Sequence, residues 1–161
     1  MFDMPTAGNH GRLIATNMRA WVTVLAVLAV GASASATRFE TPAELTAQAQ
    51  AAPLDKQPEL YIKAAQAQLK SADDLYTAGK VDDARAAVDA LVAESDKATD
   101  AAKRSRHRLK NTEIDLRKMA EHLRDMKRTL NLDDQPPVQA AMDHLENLRT
   151  GLLNLMFGKR K

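Results

Sequence analysis

No cysteine occurs in the 161 residues. Its absence excludes disulfides, thiolate nucleophiles, zinc–thiolate sites, iron–sulfur clusters and thioether-linked haem. Aromatic residues make up only 4% of the chain, and the formal net charge is +2. Without aromatics to stack on bases or a strong basic excess, no nucleic-acid partner is expected. The six glycines form no phosphate-cradling loop and mark turns and the N-terminal segment. No G-x-S-x-G or H-E-x-x-H motif is present. No carboxylate is expected in the apolar surround that acid–base catalysis needs. These absences point to a protein that is not an enzyme and carries no cofactor. β-Branched residues thin out after Val30, and no stretch alternates with period two, so no sheet is expected.

What is present begins with an address. Arg12 and Arg19 precede an eleven-residue apolar run, Ala20 to Val30, followed by Gly31 and small residues ending in Ala34-Ser35-Ala36. Basic region, apolar region and A-x-A site follow the order of a secretory signal peptide. The run falls short of the roughly 20 apolar residues of a spanning helix. An uncleaved anchor is the alternative reading. Met18 is a candidate true start. Residues 1–36 therefore read as the signal peptide, 37–57 as an N-terminal segment with a short helix, 58–158 as the helical domain, and 159–161 as a basic tail. The expected location is periplasmic or extracellular. The mature chain from Thr37 carries 21 basic and 20 acidic residues.

That mature chain reads as all-α, with 18 of its 21 alanines lying between Ala43 and Ala102, a composition that favours helix. Thr41-Pro42-Ala43-Glu44 has the form of a capping box with proline in the first turn and opens a helix to about Ala51. Pro58 opens a second helix to Ala78, with Gly79 as its C-terminal cap. Alternate steps of three and four from Val81 to Leu130 then trace a seam apolar at twelve of fifteen positions, uninterrupted by Gly or Pro. Such a seam predicts one coiled-coil-like helix of about 50 residues, about 75 Å long. Its middle, Ser95, Ala98, Ala102 and Ser105, is thin. A last helix from Pro136 to Phe157 completes the expected architecture: elongated, with antiparallel hairpins built on the long helix. Its leucine-rich second half should carry the thicker core.

Between Gln68 and Leu91, the residues Ala72, Leu75, Gly79, Val81, Ala84 and Val88 stand where a tetratricopeptide-type hairpin places its small, large, turn and packing residues. The segment resembles one such repeat, a unit of about 34 residues, without its closing proline and with no second copy. The resemblance implies a helical hairpin at this place and not a peptide-binding array. The Gly79-Lys80-Val81 turn in its alanine-rich setting also looks like the last hairpin of soluble b-type four-helix cytochromes, though the axial-ligand spacing is not reproduced.

Three sets of residues are candidates for function. His122 and His144 lie opposite one another if the last two helices pair about Asp133-Asp134, a weak lead to a metal site. Lys103 to Lys110 holds five fixed cations, with Arg104, Arg106 and Arg108 the candidates for an anionic partner such as lipid, polysaccharide or acidic protein. The seam residues Leu109, Leu116, Met119, Leu123 and Met126 are candidates for self-association or protein binding. Charge is also segregated: Glu40 to Asp100 carries a net −6 and Lys103 to Arg128 a net +6. On a rod this makes an axial dipole suited to staggered assembly. The expectation is an exported interaction or scaffold protein. A metal- or small-ligand-carrying bundle and an anionic membrane- or cell-surface-binding protein are the alternatives.

Overall fold

A computed structural model describes residues 40–158, and among these the chain is all-helical, with no strand. Five helices follow in order: α1 (Pro42–Ala51), α2 (Gln57–Thr77), α3 (Val81–Ser105), α4 (Leu109–Thr129) and α5 (Gln135–Phe157). A 3-10 turn, Leu132–Asp134, links α4 to α5. The expectations for the signal segment, residues 1–36, for the start at Met18 and for the tail 159–161 lie outside the described residues.

Local chemistry explains most of the boundaries. The capping box at α1 is formed: the Thr41 N–H donates to Glu44 Oε2 at 2.9 Å and the Glu44 N–H to Thr41 Oγ1 at 3.3 Å. Gly79 ends α2 at φ +72°. There the Lys80 N–H reaches Leu75 O and the Gly79 N–H reaches Tyr76 O, the paired bonds of a Schellman turn. Prolines occupy the first turns of α1, α2 and α5, where a missing N–H costs nothing.

The single 50-residue helix does not form. Arg106 (φ 57°) and Arg108 (φ 58°) adopt left-handed backbone, and the chain reverses through Arg106-His107-Arg108. Ser105 helps to end α3: its hydroxyl donates to Ala101 O at 2.7 Å and accepts the His107 N–H at 3.2 Å. Two non-glycine residues in this region cost about 2–4 kcal/mol together. Continuing the helix would stack like charges, Arg104 on Arg108 and Arg106 on Lys110, at adverse i,i+4 spacing. The reversal also closes the core over Leu116, Leu123, Leu145 and Leu152, all fully buried. Burial of each leucine is worth about 1.5–3 kcal/mol, which outweighs the strained turn.

The expected end-to-end array on a long helix is thereby replaced by two hairpins side by side. In the first, α2 runs against α3, with Lys97 over the Tyr61 ring at 5.8 Å. In the second, α4 runs against α5, with Lys127 Nζ donating to Gln139 Oε1 at 2.6 Å. Contacts between the hairpins advance together along the chain. Glu59 meets Arg108 and Asp73 meets His122, so α2 lies parallel to α4. Arg85 meets Asp134 and Asp96 meets His144, so α3 lies parallel to α5. Short helix α1 packs on α2 through buried Leu45 and Ala49.

The two hairpins fill their cores differently. Ala64, Ala65, Ala72, Ala84, Ala87, Ala98, Ala101 and Ala102 are buried in the first, whereas leucine and methionine fill the second. Of the thin seam positions, Ser95, Ala98 and Ala102 are buried and Ser105 is half-buried, and Ser95 satisfies its hydroxyl by donating to Leu91 O at 2.8 Å.

Candidate functional site

The reversal between α3 and α4 places the cation run at one end of the bundle. Lys103 and Arg104 close α3, Arg106, His107 and Arg108 form the turn, and Lys110 lies in the first turn of α4. Arg108 bridges to Glu59 at 3.0 Å, which holds the start of α2 against the start of α4. The Glu59 carboxyl is held below its ordinary range by the hydrogen bond from Lys63 and then by the Arg108 charge. Arg104 pairs with Asp100 at 2.9 Å, both largely in solvent. Lys103, Arg106 and Lys110 are exposed and have no ion-pair or hydrogen-bond partner among the described residues. Of the three arginines singled out from the sequence, Arg106 alone is without a partner among the described residues.

Two other features reach the same end. The α1–α2 connection runs through Pro53-Leu54 into the start of α2, and Leu54 is 38% exposed. Helix α5 also finishes here: Lys103 Nζ lies 3.5 Å from the position a Cβ would take on Gly151. The further six residues to Phe157 extend α5 about 9 Å beyond that level. Phe157 is 75% exposed. Gly151 thus lies inside a helix, not in a turn as the sequence suggested, and leaves room for the Lys103 side chain across α5.

The opposite end differs in sign. Its two connections carry Asp82 and Asp83 after the α2–α3 turn, and Asp133 and Asp134 before α5. Arg85 ties them together: its Nη2 donates to Asp134 Oδ1 at 2.9 Å and its Nη1 lies 3.8 Å from Asp82. Asp134 therefore binds Arg85 and makes no side-chain cap for α5. The Tyr76 hydroxyl is buried beside this knot, and burial pushes its pKa up.

The histidines are not brought together. His122 Nε2 lies 3.6 Å from Asp73 on α2, and His144 Nε2 lies 2.8 Å from Asp96 on α3. Parallel stacking of the hairpins directs each histidine to a different helix. Among the described residues no group of three or more potential ligands is placed to hold a metal ion.

The seam candidates are interior. Leu116, Met119, Leu123 and Met126 are buried in the chain's own core, and Leu109 is half-buried against it. Part of the charge segregation is also satisfied within the chain, since Glu59–Arg108 crosses between the acidic and basic segments.

Sequence reasoning missed several features. Contrary to expectation, one carboxylate does have a raised pKa: Asp115 on α4 is pushed up, first by burial, against the opposing charges of Lys118 and Arg108. Glu113 is buried and accepts from Arg149 Nε at 2.5 Å, while Arg149 Nη1 also reaches Glu146 at 3.0 Å. Both acids face neighbours that only the fold supplies. Leu54 carried no sequence signal either, because its exposure depends on where the α1–α2 connection lands.

No family model, curated protein or solved structure matches this chain.

Proposed function

We propose that this chain is an exported, non-enzymatic helical interaction protein that engages an anionic partner through the cationic end formed by the α3–α4 reversal. One observation carries the reading: Lys103, Arg106 and Lys110 project from that end without a partner among the described residues. Pairs at i,i+4 stabilise a helix surface, and Lys63 and Lys70 are matched in that way. These three, like Lys80, Arg117 and Arg124, are not matched among the described residues. Clustered and unmatched, the three present a local positive potential that attracts anions. The acidic turns at the far end give the bundle a dipole that orients its approach. Burial of the apolar seam supports an interaction through charge at the end rather than through a coiled-coil face.

The test is retention of the full chain on immobilised heparin, a soluble polyanion, compared with Lys103→Gln/Arg106→Asn/Lys110→Gln. Asparagine at 106 tolerates the left-handed backbone. The wild-type chain is expected to elute at higher salt than the variant. Co-elution of the two, with circular dichroism unchanged, overturns the reading.

A further inference from the structure

We infer that the anionic partner is a phospholipid bilayer, met end-on, with the Phe157 and Leu54 side chains entering between the headgroups. The inference rests on the anionic-partner reading and adds the chemistry of that partner. Leu54, Leu132 and Phe157 are the exposed large hydrophobics among the described residues. Two of the three stand at the cationic end. Phe157, the most exposed aromatic described, extends past the level at which Lys103 crosses α5.

Exposed apolar side chains set beside cations that have no partner among the described residues match a layered partner, in which anionic headgroups overlie hydrocarbon. Lysine and arginine suit that arrangement because their aliphatic stems lie along apolar material while their charges remain in the polar layer. Each such cation near an anionic leaflet is worth about fivefold in binding, and lasting attachment requires an apolar contribution beside the charge. Both kinds of contribution converge here from two connections, α1–α2 and α3–α4, and from the end of α5.

The opposite end supplies the contrast. Leu132 is 81% exposed there, but Asp133 and Asp134 follow it directly, and Asp82 and Asp83 stand in the neighbouring first turn of α3. Leu54, by contrast, is followed by the single acid Asp55. An anionic surface repels that end and draws the other, which fixes the bundle upright. No helix among the described residues is long and apolar enough to cross a membrane, so the contact is interfacial.

The absence of native cysteine makes the test direct. Phe157→Cys and Leu132→Cys are made separately in the full chain, and each thiol is labelled with a polarity-sensitive fluorophore. Labelled chains are mixed with vesicles of phosphatidylglycerol and phosphatidylcholine, or of phosphatidylcholine alone. The label at 157 is expected to shift to the blue on phosphatidylglycerol vesicles only, and the shift is expected to be lost at high salt. The label at 132 should stay unshifted. Adding Lys103→Gln/Arg106→Asn/Lys110→Gln should weaken the response at 157 about a hundredfold in lipid concentration. In unlabelled chains, Phe157→Ser should weaken co-sedimentation with phosphatidylglycerol vesicles roughly tenfold. The first 39 residues are common to every variant and cannot produce these differences. Equal shifts at 157 and 132, or none at either, overturn the inference. If heparin retention still depends on the three cations while neither label responds, the bilayer is wrong and the anionic-partner reading stands. If both responses fail, the reading fails with it.

Discussion

At Asp115 and Glu113 the fold places carboxylates among neighbours that their local sequence does not announce. Burial raises the Asp115 pKa, so the folded state holds a proton on this group more readily than the unfolded chain does. Its ionisation at neutral pH therefore opposes folding, and stability is recovered as the pH falls through the acid range. Asp115→Asn is expected to stabilise the protein at neutral pH. The difference should vanish in acid, where the carboxyl is protonated in both states. Urea unfolding at the two pH values measures it. Glu113 is held by a direct contact: its carboxylate side chain is only 11% exposed and accepts from Arg149. Arg149→Met leaves that charge unpaired, with an expected loss of about 2 kcal/mol. Adding Glu113→Gln should restore part of it, and failure of the second change to recover anything would exclude the pair as the cause.

At the scale of elements, the decisive feature is the left-handed pair Arg106 and Arg108. Arg106→Gly removes the steric cost of that backbone while loosening the unfolded chain. It is expected to raise stability by about 0.5 kcal/mol. In a continuous helix the same change would lower stability by about 1 kcal/mol, so the sign alone distinguishes the two arrangements in denaturant melts. The helix boundaries at Thr41, Gly79 and Pro136 were legible because each rests on one residue's local chemistry: a side-chain cap, a positive φ or a missing N–H. The break at Arg106 was not legible. It contains neither glycine nor proline, and the apolar three-and-four rhythm passes through it without a fault. Ser105 and the density of like charge were its only local marks, and both also occur within unbroken helices.

For the molecule as a whole, the reversal determines which ends meet. In a continuous helix, positions 82 and 131 would stand about 74 Å apart. In the bundle, Arg85 ties Asp82 and Asp134 to one end. Asp82→Cys with Asn131→Cys, labelled as a donor and acceptor pair, should give high energy transfer in the dilute chain. Transfer near zero would restore the long helix. Loss of transfer only on dilution would show that the proximity arises between chains.

The candidate site was half legible for the same reason. The run of cations was plain in the sequence, yet its position on a helix side or at a bundle end was a tertiary matter. The pairing of Arg108 with Glu59, the lack of a partner for Arg106 among the described residues, and the arrival of Leu54 and Phe157 nearby all follow from the chain reversal. Arg104, by contrast, pairs with Asp100 inside α3 at i,i+4. His122 and His144 were matched by counting across a hairpin, but neighbouring parallel helices claimed each of them first.

Alanine content, capping chemistry and the apolar rhythm by themselves determined that the chain is helical and where most helices begin. These are short-range effects, set by side-chain entropy, backbone sterics and hydrogen bonds within four residues. Tertiary structure alone decided that the seam closes on the chain's own helices rather than running on as a rod. A heptad seam specifies that an apolar face must be covered but not which helix covers it. Here the burial of Leu116, Leu123, Leu145 and Leu152 outweighs two strained arginines, and that balance exists only once the hairpins are packed together.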